Sequence, residues 1–333
     1  MPKNLSASGK EDVLVVGRGV SGLGVSNVLA RRGHRVTNWF DRPTNETTSS
    51  KAAAFWYPYL SAPQEKVREW SESTFHYLKE LAVSAPEAGV RMMQTRELFS
   101  KGKREDPFWK DIVPDFRHAT SGELPPGFED AYLLSVPMIH TRYYLKWLLN
   151  QNIRLSVKMQ MKKINHIDEA FEHHNIVVNC TGLGSRDIQG IQDNTMTAIR
   201  GQLVCIKNPG DIKGIMMDED KAITYLCTRP TPDGKNDDVV LGGTVDHGNE
   251  SLTPDPKVAQ EIIERCSEHY PSIRKAKILG HTVGLRPGRP AIRVEAESKP
   301  NGKLLVHNYG HGGSGFTVIR CADDVVKMIE GKS

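Results

Sequence analysis

Between residues 12 and 42 the hydrophobic pattern changes period twice. "DVLVVG" (12–17) is a continuous apolar run of strand length, and "SGLGVSNVLARRG" (21–33) spaces its apolar residues by three and four before stopping at a glycine. "HRVTNWFDR" (34–42) returns to strand spacing. The order predicted is strand, helix, strand, a βαβ unit. A polar stretch, "PTNETTSSKAAAFWYPY", follows and is too long for a tight turn.

From about 61 to 139 the pattern is mixed. Helical spacing around "EKVREWSESTFHYLKELA" gives way to proline-rich breaks at "DPFWKDIVPDF" and "GELPPGFED", as for a second domain interrupting the first. "TRYYLKWLLNQN" (141–152) predicts a helix, and "HNIVVNCTGLGS" (174–185) an apolar strand entering a glycine turn, both suited to a return to a parallel sheet. The span 196–280 is β-rich: "GQLVCIK", "AITYLCTRP" and "DVVLGGTV", the last two joined by "TPDGKND". Near the end, the strand "KLLVHNYG" runs into a glycine loop. A helix follows whose apolar positions Val318, Ile319, Ala322, Val325, Val326 and Ile329 recur at three and four, with Gly331 as its stop. The whole reads as α/β with an interleaved α+β part.

Composition narrows the function classes. The 333 residues suffice for two domains, each with its own core. A net charge of +4 in scattered short runs gives no nucleic-acid footprint, and no apolar run approaches membrane-spanning length. Five cysteines (Cys180, Cys205, Cys227, Cys266, Cys321) without regular spacing, and no secretory leader, imply reduced thiols in an intracellular protein. The sequons at Asn4, Asn45, Asn179 and Asn249 then carry little weight.

The chemistry begins at Gly17, Gly19 and Gly22, a GxGxxG between predicted strand and helix, with Asp41 closing the next strand. The glycines permit a tight turn and close approach of a pyrophosphate, the helix start attracts its charge, and the acid holds ribose hydroxyls. The motif alone does not separate NAD from FAD. A second glycine-rich strand–loop junction, "HNYGHGGSGFT" (307–317), and a third backbone approach at Thr181 and Gly182 favour FAD, whose ring must be met far from its pyrophosphate.

With these motifs in hand the chain resembles the D-amino-acid oxidase and D-aspartate oxidase family, the former branch more closely. The resemblance is carried in order by "VLVVGRGVSGLG", "DRPTNETTSSKAAAFWYPY", "IVVNCTG", "AITYLCTRP" with "LGGT", "VGLRPGRPAIRVE" and "HNYGHGGSGFT". It implies a Rossmann-like FAD-binding domain from 11–60, 140–195 and 281–333, and a substrate and interface domain on an antiparallel or mixed sheet from 61–139 and 196–280.

For non-covalent FAD the resemblance implies Gly17, Gly19, Val20, Ser21 and Gly22 at the pyrophosphate, with Thr47, Thr48 and Ser49. Asp41 and Arg42 would serve the ribose and nearby phosphate, and Ile164 the adenine. Thr181 and Gly182 would approach through backbone. Ala54, where relatives usually have glycine, and Phe55 would pass beside the ring, as would Gly312, Gly313, Ser314, Gly315, Phe316 and Thr317. The last three would open the final helix and present its positive end to the reduced ring.

For the substrate, the resemblance selects Arg286 over Arg289 and Arg293 as the carboxylate fork, and Tyr225 as the second carboxylate contact. An ordinary core tyrosine is the alternative for Tyr225. The Gly313 carbonyl would receive the amine. Tyr57, Met217 and Val245, with Ser314, would line the side-chain pocket. D-aspartate oxidases carry an arginine near the position of Asp218, so neutral or basic side chains are expected here, acidic ones being the alternative.

The implied reaction is hydride transfer from the α-carbon to flavin N5. The resulting imino acid is hydrolysed to a 2-oxo acid and ammonia, and O2 is reduced to hydrogen peroxide. No metal is implied; His307 and His311 are expected to serve as hydrogen-bonding structure. More distant alternatives are an NAD(P)-dependent dehydrogenase or a non-catalytic dinucleotide binder. The expected partners are a D-amino acid and O2, without nucleic acid or membrane, and a second copy of the chain in a homodimer. The ending "EGKS" is not the SKL-type peroxisomal address found in many relatives, leaving cytoplasm or peroxisome.

Overall fold

The computed structural model describes residues 10–58, 61–218, 222–235 and 238–331. The sequon at Asn4 and the last two residues lie outside them. In chain order the elements are β1 (Asp12–Val16), α1 (Val20–Arg31), β2 (Arg35–Phe40), α2 (Gln64–Ser84), β3 (Val90–Phe99), β4 (Arg117–His118), β5 (Asp130–Ile139), α3 (Thr141–Arg154), β6 (Lys158–Met161), α4 (Asp168–Phe171) and β7 (Ile176–Asn179). They continue as β8 (Thr197–Lys207), β9 (Ile215–Asp218), β10 (Thr224–Thr228), β11 (Asp238–Gly242), β12 (Asp246–His247), α5 (Pro256–His269), β13 (Ile278–Gly288), β14 (Arg293–Lys299), β15 (Lys303–Tyr309) and α6 (Ala322–Ile329).

The first sheet runs β14-β15-β7-β1-β2-β6 and is parallel except for the edge strand β14. Its centre is apolar on both faces, as the unbroken run in β1 requires. Val13 and Val15 pack under α1 and α6, against Val25, Leu29, Val325 and Ile329. Leu14 and Val16 face the other way, against Trp39, Ile167 and Phe171.

The second sheet runs β12-β8-β11-β10-β9-β3-β5-β4, with β13 paired along β8. Its strands alternate cleanly. Leu203, Ile215, Met217, Tyr225, Cys227, Val240 and Phe99 share one face with Trp56, Phe75 and Trp109. Val204, Met216, Leu226, Leu241 and Leu98 face α5 on the other.

Several expectations change. β3 and β5, which pair antiparallel over ten residues from Val90↔Ile139 to Phe99↔Asp130, were hidden in the mixed span 61–139. Helix α5 was also unread, although Asp255 accepts from the Lys257 amide and Pro256 opens the helix, a readable start signal. Residues 281–288, grouped by sequence with the first sheet, belong to β13 and hydrogen-bond to β8 of the second. The final helix begins at Ala322 after a 3-10 turn at Ile319–Cys321, not at Gly315. Gly315, Phe316 and Thr317 form a single turn in which the Val318 amide donates to the Ser314 carbonyl, so they offer no helix start.

Candidate functional site

A continuous cleft of ≈ 1500 Å³ runs between the carboxyl ends of the first sheet and the Tyr225 face of the second. That exceeds the roughly 300–1,000 Å³ of ordinary small-molecule pockets and suits a long ligand plus a small one.

At one end Gly17, Gly19, Val20 and Ser21 line it where β1 turns into α1. Gly17 has φ 114°, and a Cβ there would collide with the Cys180 carbonyl. Gly22 does not line the cleft, contrary to expectation. A Cβ on it would run into the Gly17 carbonyl, so its task is to let α1 lie against the turn. The first turn of α1 contains no acid and Gly19 supplies no side-chain cap, leaving the positive helix end facing the cleft, apart from the Val20 amide that donates to Ser49 Oγ at 3.0 Å.

Asp41 and Arg42 line the cleft at the end of β2 and pair at 2.7 Å. Thr47 and Thr48 also line it, their hydroxyls donating to the Thr44 and Leu285 carbonyls at 2.7 and 3.1 Å. Ile164, Thr181 and Gly182 complete this end.

Sequence reasoning missed Arg18, the variable residue inside the glycine motif. Its guanidinium lies 4.1 Å from the Phe40 ring centroid, both side chains line the cleft, and Nε is buried without a hydrogen-bond partner among the described residues. Burial lowers its pKa. A guanidinium on the wall of an anion-attracting groove is what a phosphate or a nucleobase would meet.

In the middle, Ala54, Phe55, Gly312, Gly313, Gly315 and Phe316 come together from opposite ends of the chain. Ala54 has φ 65°, the left-handed conformation that glycine adopts without strain. Ser314 and Thr317 are buried and do not line the cleft. Ser314 Oγ accepts from Ser61 at 2.8 Å, and Thr317 Oγ1 accepts from the Tyr57 amide at 3.1 Å and donates to its carbonyl at 3.0 Å. Their side chains tie Tyr57 and Ser61 to the glycine loop.

His311 and His307 are buried and their pKa values fall to about 4, desolvation being the main cause. His311 Nε2 contacts Asn308 Oδ1 at 3.0 Å, and His307 lies 3.3 Å from Glu297. Beside them Asp193 receives Tyr309 Oη and Arg289 Nε, both at 2.9 Å, which with Thr195 hold its carboxyl well below the usual range despite burial. Among the described residues no group of three or more His, Cys, Asp or Glu could hold a metal ion, and no helix is long and apolar enough to cross a membrane. The five cysteines form no disulfide.

At the far end stand Arg286 and Tyr225. Arg286 projects from β13 and donates through Nη1 to the Thr244 carbonyl at 3.1 Å, which aims the rest of the fork into the cleft. The Tyr225 ring lies on Gly242, where any Cβ would overlap it, and edge-on to Phe55 at 5.9 Å. Burial raises the Tyr225 pKa well above the ordinary value, partly offset by the nearby Arg286 charge, so the phenol stays a donor. Tyr57, Met217 and Val245 line this end, Val245 from a 40% exposed position at the rim. Asp218 does not: strand alternation turns it away from Met217, toward His269 at 3.1 Å.

Comparisons agree with this geometry. A family model described as FAD dependent oxidoreductase matches residues 12–324. A D-amino-acid oxidase of Rubrobacter xylanophilus is 38% identical over 95% of this chain and 94% of its own. One from Dictyostelium discoideum is 39% identical over 96% and 92%. Among solved structures, glycine oxidase from Geobacillus kaustophilus superposes with TM-score 0.81 over 97% of this chain and 96% of its own, at 16% identity. An L-α-glycerophosphate oxidase from Mycoplasma pneumoniae with FAD bound gives 0.73 over 97% and 95%, at 14%.

Proposed function

Because the chain belongs to this family of FAD-dependent oxidoreductases, we propose that it is a D-amino-acid oxidase that deaminates neutral or basic D-amino acids. The observation that carries the reading is the pairing of Arg286 with Tyr225 at one end of a cleft whose other end is a dinucleotide cradle.

The residues present fit FAD. Gly17, Gly19, Val20, Ser21 and Arg18 suit the pyrophosphate, Asp41 the ribose, and Ala54, Phe55 and Gly312 to Phe316, without the Ser314 side chain, the ring. When bound, the flavin supplies a hydride acceptor and returns electrons to O2, giving hydrogen peroxide.

The protein's own part is positioning. The Arg286 fork and the protonated Tyr225 phenol hold the substrate carboxylate, and the carbonyl of Gly313, an exposed residue lining the cleft, accepts an amine N–H, fixing two substituents of the α-carbon. The side chain then runs toward Tyr57 and Met217, and the remaining C–H bond has one direction left. No base is needed at the α-carbon, because the neutral amine lone pair expels the hydride. Apolar walls from Phe55, Leu203, Ile199 and Met217 keep water from the reacting carbon until the imino acid leaves to hydrolyse.

The two sheets would thus divide the labour into a cofactor domain and a substrate domain, as the sequence division implies. A homodimer and a cytoplasmic or peroxisomal setting remain part of this proposal. The test is to follow peroxide from the FAD-loaded protein with D- and L-alanine, D-arginine and D-aspartate. Turnover of L-enantiomers alone would end the reading.

A further inference from the structure

Behind the wall at the Tyr225 end of the cleft stands a buried carboxylate that sequence reasoning passed over. Tyr225 on β10 is paired with Met217 on β9, and Met217 with Glu97 on β3, so the three share one face in a single cross-strand row. Tyr225 and Met217 line the cleft, and Glu97 stands one strand further on, 7% exposed. The phenol of Tyr57, itself a lining residue, donates to Glu97 Oε2 at 2.6 Å. The carboxylate charge is felt locally: the Tyr132 pKa is pushed up to about 12, first by burial and then by Glu97.

We infer that Glu97 selects the substrate side chain, favouring D-amino acids that end in a cation, such as D-lysine and D-arginine. The inference rests on the oxidase reading above. If the α-carboxylate is held at Tyr225, a side chain directed along the row passes Met217 and reaches Glu97 two strand spacings away, about 10 Å. Extended lysine and arginine chains cover a comparable distance from their carboxylates; alanine and serine do not. Met217 is unbranched and can turn aside to admit the chain. A carboxylate accepts several donors, so the hydrogen bond from Tyr57 is compatible with an incoming ammonium or guanidinium. An acidic side chain would meet like charge at low dielectric, and Glu97 thereby supplies the bias against acidic substrates that Asp218, turned to the other face, does not.

The test compares substrates matched in length: D-lysine with D-norleucine, and D-arginine with D-citrulline. The expected wild-type ratio of kcat/KM, cationic over neutral, is roughly tenfold or more, the scale of one charge-assisted hydrogen bond. Glu97→Gln, which keeps an acceptor for Tyr57, is expected to bring both ratios close to one, and Glu97→Asp to keep them above one. A purely structural role would lower all four substrates together and leave the ratios intact, which overturns the inference. Should Glu97→Gln fail to fold, the wild-type ratios decide: values at or below one overturn it. Oxidation of neutral D-amino acids without cationic preference removes Glu97's role and spares the oxidase reading; no oxidation of any D-amino acid removes both.

Discussion

The Arg286 guanidinium packs beneath Gly201 so closely that a Cβ on the glycine would lie 2.5 Å from Nη2. The two residues sit on paired strands, β13 and β8, so the glycine is the floor that sets where the fork points. Gly201→Ala is expected to push aside the flexible guanidinium and leave the backbone in place. KM for a neutral D-amino acid should rise about tenfold while FAD content and melting temperature stay near wild type, the scale of one weakened charged hydrogen bond. Steady-state kinetics with flavin absorbance checks it.

Arg286→Leu removes the fork altogether. Losing a charge-assisted pair costs roughly 2–5 kcal/mol, so kcat/KM should fall by about two orders of magnitude or more, chiefly through KM. A change below threefold would take the substrate carboxylate away from Arg286.

Arg18 is expected to contribute to FAD retention without touching the reaction. Its guanidinium is stacked on Phe40 and lines the cleft beside the glycine turn. Titrating apoprotein with FAD and following flavin fluorescence should show Arg18→Ala binding about tenfold weaker, with kcat at saturating FAD little changed. Equal affinities would leave Arg18 with only its contact to the ring.

His307 and His311 make stability depend on pH in a defined direction. Both are neutral in the fold, with pKa values near 4, whereas an unfolded histidine titrates near 6.5. A depressed folded pKa gives stability that is fully present above the unfolded pKa and is lost as pH falls toward the folded one. The unfolding free energy should therefore hold steady above about pH 7 and drop between about 6.5 and 4, by up to about 3 kcal/mol per histidine. Denaturant midpoints across that range should fall less steeply in His311→Gln.

That the first glycine turn and the Arg286–Tyr225 pair line one cleft was legible because each has a local signature. Gly17, Gly19 and Asp41 lie in one βαβ unit, and Arg286 and Tyr225 stand in motifs that the resemblance identifies. Even the odd Ala54 was marked, and its φ of 65° gives the physical reason. What stayed hidden depends on long-range register. Glu97 is an unremarkable acid in "QTRELF" until β3 pairs with β9, and Asp218, near the position where the resemblance sets a side-chain-reading arginine, lies on the opposite face from Met217. Ser314 and Thr317 sit in the most recognisable motif, yet partners 253 and 260 residues away, Ser61 and Tyr57, take their hydroxyls. The apolar spacing from Val318 onward fits both a 3-10 turn and a helix, so the helix start was expected at Gly315 and lies at Ala322.

The central claim is tested most directly by anaerobic mixing of the FAD-loaded protein with one enantiomer at a time while the flavin absorbance is followed. D-alanine and D-lysine are predicted to bleach the oxidised flavin, and admitting O2 to restore it with stoichiometric peroxide, while L-alanine and L-lysine leave it oxidised. Bleaching by the L-enantiomers alone, or by neither, would contradict the account.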